Sequence, residues 1–153
     1  YITIPMEKFP LNSHDDEEVL TIESQLKDLS QKKLLNLTNK TNTDIKLEYG
    51  VPNFETLKEY GDNFDKLSTV IVDYAKKLIE LCDTNGAIAV LEFGASCRTD
   101  IAANYILLAD CYKENGQIKK IEALYEPVRN LHLLRESAII SHFDKLIGQI
   151  KSN

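Results

Sequence analysis

Long apolar runs, basic clusters, glycine-rich loops and closely spaced cysteine pairs are all missing from this 153-residue chain, and each absence removes a class of function. No stretch approaches the ~20 consecutive apolar residues that a membrane-spanning helix needs. Lysine occurs singly or in pairs (Lys32-Lys33, Lys76-Lys77, Lys119-Lys120) and never in a run. With a formal charge of −6 and a pI near 5.1, the chain is a poor ligand for nucleic acid or an anionic membrane. The six glycines are dispersed, so no phosphate-cradling loop forms. Three cysteines, Cys82, Cys97 and Cys111, leave at least one unpaired and show no Cys-x2-Cys spacing for zinc or redox work. They read as small apolar residues buried as free thiols, which fits a reducing, cytoplasmic compartment. The sequons at Asn36 and Asn39 would matter only in a eukaryotic secretory protein.

What is present is ordinary globular material, 43% apolar and 27% charged, in a length that suits one core. The chain opens on Tyr1 rather than Met, so a piece of a larger protein is expected, with room for a signal or membrane anchor upstream. Fifteen lysines to three arginines, with eleven asparagines, fit an AT-rich genome such as that of a low-GC bacterium.

Pro5 and Pro10 make residues 1–12 an extended arm. Ile2, Ile4, Met6, Phe9 and Leu11 give it five apolar side chains, more than a free tail carries, so it should dock on the body. The surface around Val72 and Ile106 is one receptor for it. Ser13 is placed to cap a helix whose first turn holds Asp15, Asp16, Glu17 and Glu18 and whose stripe is Val19, Ile22, Leu26 and Leu29. Ser30 then caps a short helix with Leu34, Leu35 and Leu37. Asn36 to Asp44 reads as a loop, and a helix around Ile45 to Tyr49 ends at Gly50. Pro52 and Asn53 open another, with Phe54, Leu57 and Tyr60, which Gly61 stops. These elements form an N-terminal helical subdomain, 13–61.

From Asp62 the pattern lengthens. Phe64, Leu67, Ile71, Tyr74, Ala75, Leu78 and Leu81 mark one helix, Asp83 to Gly86 a turn, and Ala87 to Cys97 its partner. Asp100 caps the next helix, to about Glu114. Asn115-Gly116 turns the chain into Gln117 to Glu126, and a last helix runs from Arg135 to Lys151 along Ile139, Phe143, Leu146 and Ile150. No strand passes a length and alternation test, so the fold class is all-α.

Tyr105, Leu108, Ala109, Tyr112, Gly116 and Tyr125 repeat the outline of Ile71, Tyr74, Ala75, Leu78, Cys82, Ala87 and Leu91 one period upstream. The pattern resembles the tetratricopeptide repeat, a helical hairpin of about 34 residues. Two degenerate copies span about 68–135, and the last helix resembles the cap that seals such arrays, so that 62–153 forms a right-handed solenoid fragment. In that register Ala75, Ala87 and Ala109 sit at close helix crossings, with Ile121 in place of the fourth alanine. Gly94 and Val128 share a second position. The usual Pro between repeats is replaced by Thr99 and Leu133, and Pro127 should kink or end the helix that contains it. Two copies are fewer than the three that usually stand alone, so the N-terminal helices must complete the packing.

The resemblance implies a protein–protein interaction module, an adaptor or scaffold without chemistry or cofactor of its own. It also implies a groove on the first helix of each repeat: Thr69, Val72, Asp73, Lys76 and Ile79, then Ala103, Ile106, Asp110 and Lys113. Lys76 and Lys113 have no Asn beside them, which argues against a clamp for a C-terminal carboxylate. The expected occupant is a protein or peptide, not nucleic acid; the competing occupant is the chain's own N-terminal region. Two alternatives stand beside this. One is a metal-dependent hydrolase built on His14-Asp15-Asp16-Glu17-Glu18, although only His132 and His142 remain as further histidine ligands. The other is a structural domain that self-associates, with a homo-oligomer as its product. Cys97 and Cys111 lack a basic neighbour on their helix faces and read as packing residues rather than reactive thiols.

Overall fold

The structure, a computed structural model, describes residues 1–152, and every regular element among them is helical. The longest is α3, Phe54–Glu80. Phe64, Leu67, Ile71, Tyr74, Ala75 and Leu78 recur along one side of it at three- and four-residue steps, and all six are buried. The division at 61 and 62 falls inside this helix, because Gly61 does not stop it. Glycine ends a helix by entering the left-handed region, and Gly61 stays out of it. What Gly61 supplies is room: a Cβ there would lie 3.3 Å from Cδ1 of Leu37, on the connection that crosses α3.

Ahead of α3 lie α1, Glu17–Ser30, and α2, Asn42–Tyr49. The cap of α1 is Asp16, not Ser13; its carboxylate accepts the Val19 N–H at 3.0 Å, and Ser13 lies exposed on the approach. Ser30 closes α1 rather than opening a helix, and residues 31–41 carry no helix. The physical reason is a divided destination: Leu34 enters the main core, while Leu35 and Leu37 join a smaller cluster with Ile45, Phe54 and Leu57. Extended chain can send near neighbours to opposite sides, and one helical stripe cannot. Thr41 and Asp44 form a reciprocal capping box at α2, and Gly50, at φ +89°, ends it.

After α3 come α4, Thr84–Ser96, and α5, Ala102–Glu114. Cys82 takes a left-handed φ of +61°, and Asp83 caps α4 by accepting the Gly86 N–H at 2.9 Å. Asp100 does not cap α5. Ile101 holds that place without a side-chain bond, and the Ile101 N–H donates to Thr99 Oγ1 at 3.3 Å. Then follow α6, Ile118–Glu122, α7, Tyr125–Leu131, and α8, Glu136–Lys151. The break expected at Pro127 falls between α6 and α7. Proline lacks an N–H for the carbonyl four residues back and crowds it, and that carbonyl belongs to Ala123, in the gap.

The helices pack in chain order, α3 on α4, α4 on α5 and α5 on α6. In addition α5 lies against α3 and α8, α6 against α8, and α1 against α3. Ala75, Ala87 and Ala109 are fully buried in these contacts, as are Ile121 and Val128. The arm docks on the body, with Ile4 and Phe9 buried. Its receptor is not the surface around Val72 and Ile106: Phe9 sets its ring edge-on to Tyr74 of α3 and Phe93 of α4.

Candidate partner-binding face

Asp62, Asp65, Thr69 and Lys76 follow one another at steps of three, four and seven, which places them on one face of α3. All four are exposed. Val72, on the flank of that face, is buried at 5% exposure, so it packs rather than binds. The α5 residues assigned to the groove, Ala103, Ile106, Asp110 and Lys113, are all half-buried. Asp110 is already engaged: its Oδ1 lies 2.7 Å from Nε2 of His142, which ties α8 to α5. The open part of the predicted set is therefore Thr69, Asp73 and Lys76 on α3, flanked by Ala103, Ile106 and Lys113.

Two depressions meet this surface. Lys76 and Asp73 line a cleft of about 600 Å³ between α1 and α3, where Lys77 bridges Glu18 at 3.1 Å and Glu80 at 3.0 Å. Those hydrogen bonds, Glu80 first, hold the Lys77 ammonium above its usual range. Thr69 lines a second cleft, of about 480 Å³, together with Asp62, Asp65, Asp100 and the apolar Leu37, Ile45 and Ile101. Asp62, Asp65 and Asp100 did not figure in the sequence-derived groove. The signal was legible for the first two, since they share the helical face of Thr69. It was hidden for Asp100, which reads as a helix cap.

The acidic segment has other duties. His14 Nε2 lies 2.7 Å from Asp83 Oδ2, Asp16 caps α1, and Glu18 pairs with Lys77. Among the described residues no group of three or more His, Cys, Asp and Glu side chains converges as metal ligands would. The thiols depart in part from the expected burial. Cys111 is buried and its thiol is pushed up to about 11 by that burial, Cys97 is half-buried with its thiol also raised, and Cys82 is exposed.

Three tyrosines of the C-terminal helices, Tyr105, Tyr112 and Tyr125, keep their hydroxyls bonded. Tyr105 donates to the Thr99 carbonyl, Tyr112 to Glu92, and Tyr125 to Asp144 at 2.6 Å. Burial, then the Asp144 carboxylate, pushes Tyr125 up to about 12. Each hydroxyl is thus committed as a hydrogen-bond donor.

Comparison with protein-family models, with curated proteins and with solved structures finds no match for this chain.

Proposed function

We propose that this chain is a non-enzymatic protein–protein interaction module of tetratricopeptide-like build, an adaptor or scaffold whose partner lies across the exposed face of α3 and α5. The observation that carries the reading is the packing order. Each helix from α3 to α6 rests on its chain neighbour, and α5 also touches α3 and α8, as stacked helical hairpins require. The buried alanines at the crossings, 75, 87 and 109, support the same register. In this reading α8 caps the array and α1 covers its other end. Residues 14–18 support helix ends and ion pairs rather than a hydrolytic centre. A net charge of −6 favours a protein or peptide over nucleic acid as the partner.

Peptide display on the immobilised chain tests the proposal. Enriched peptides should bind the wild type, and binding should fall about tenfold or more in Ile106→Glu or Lys76→Glu variants of unchanged melting temperature. Failure to enrich any peptide, or equal binding by both variants, sinks the proposal.

A further inference from the structure

Resting on that reading, we infer that the 480 Å³ cleft beside Thr69 receives an arginine or lysine side chain of the bound partner. Three observations lead there. The first is place: Asp62 and Asp65 continue the Thr69–Lys76 face of α3, and Asp100 and Ile101 directly precede α5, so the cleft forms one end of the proposed binding face. The second is the lining. Leu37, Ile45 and Ile101 present hydrocarbon, and three carboxylates stand among them. A long basic side chain has the matching form, an aliphatic stem with a charged tip. A bare metal ion does not, because the carboxylates fail to converge as ligands.

The third observation is uncompensated charge. None of Asp62, Asp65 and Asp100 is ion-paired among the described residues. Of the two lysines on the rim, Lys40 is committed to Glu48, and Lys58 is ion-paired to none of the three. Partial burial, then Asp100 and Asp62, hold the Asp65 carboxyl above the usual aspartate range. An entering cation reverses that repulsion, and a neutral or acidic side chain does not. Charge complementarity thus selects a basic residue, and the apolar walls select one carried on a stem.

The probe is N-acetyl-arginine methylamide, with N-acetyl-lysine methylamide beside it and the neutral citrulline derivative as control. Each is titrated into the full, 15N-labelled chain and followed by amide chemical shifts. Saturable shifts centred on Asp65, Thr69, Asp100 and Ile101 are expected with arginine or lysine and not with citrulline. The double variant Asp65→Asn/Asp100→Asn should weaken them about tenfold. Both aspartates are exposed, so the double variant should fold, and an unchanged melting temperature verifies it. Absence of saturable shifts at these amides, equal shifts with citrulline, or shifts undiminished in the variant would each overturn the inference. Display peptides separate it from the parent proposal. If they bind through Ile106 and Lys76 yet ignore the Asp65/Asp100 variant, the interaction reading stands and this inference falls. If no peptide binds, the parent proposal falls, while the arginine titration still reports on the cleft.

Discussion

Asn104 and Gly94 show how closely single residues are matched where α4 meets α5. Asn104 is fully buried, and its Nδ2 donates to the Leu91 carbonyl at 3.0 Å. That bond turns Oδ1 toward Gly94, where it has no hydrogen-bond partner. A Cβ on Gly94 would come within 2.2 Å of that oxygen, far inside contact distance. Glycine at 94 is therefore set by approach rather than by backbone conformation. Gly94→Ala should cost about 1–3 kcal/mol through overpacking. In the background of Asn104→Ala the three atoms nearest to the added methyl are gone, so its cost should fall. A double-mutant cycle by chemical denaturation measures the coupling, and strictly additive losses would refute the contact.

Among the elements, what was legible depended on how many physical signals agreed. In α3, α4, α5 and α8 a long apolar stripe dictated existence and type, and Ile139, Phe143 and Leu146 are all buried as the stripe of α8 required. The break at Pro127 was legible for the same reason, since proline acts through its own covalent structure. Ser13, Ser30, Asp100 and Gly61 misled because each is a local marker whose meaning depends on tertiary contact. A serine can cap or close a helix, and a glycine can stop one or make room for a crossing loop. Of the residues that sequence placed in a groove, Thr69 and Lys76 are exposed, but sequence does not reveal that Val72 is buried or that His142 reaches Asp110. A paired substitution separates the two uses of glycine. Gly148 lies within α8 with nothing near its missing Cβ, whereas Gly61 faces Leu37. Gly148→Ala should stabilise by about 0.5–1 kcal/mol, the ordinary gain in helix propensity. Gly61→Ala should gain less, because Leu37 must shift, and adding Leu37→Ala should restore part of the difference in melting temperature. Equal gains at both sites would mean that the crossing loop does not press on α3.

At the scale of the whole molecule, the N-terminal arm contributes to the core rather than trailing from it. Ile2 donates its N–H to the Leu34 carbonyl at 3.0 Å, joining the arm to the connection between α1 and α2. Phe9 is only 6% exposed, with its ring centroid 5.7 Å from that of Phe93 and 6.5 Å from that of Tyr74. Asn12, in the left-handed region, gives its N–H to Glu23 Oε1 at 3.1 Å, and Glu23 in turn accepts the Tyr74 hydroxyl at 2.7 Å. His14 then meets Asp83 at the cap of α4. The arm thus touches α1, α3 and α4 and covers apolar surface on them. Removing one aromatic side chain from such a site exposes a cavity between helices that rigid backbones do not close, so Phe9→Ala should cost about 3–5 kcal/mol. Deletion of residues 1–11 should cost more and should let a hydrophobic dye bind at Tyr74 and Phe93. Hydrogen exchange reads the arrangement without altering it. The amides of Ile2 and Asn12 donate to Leu34 and Glu23, outside the arm, and that of the buried Phe9 to Met6 within it, so all three should be protected nearly as well as the helical body. Exchange at the unprotected rate at all three, in the intact chain, would show that the arm is not held, and the burial of Phe9 would then have to be abandoned with it.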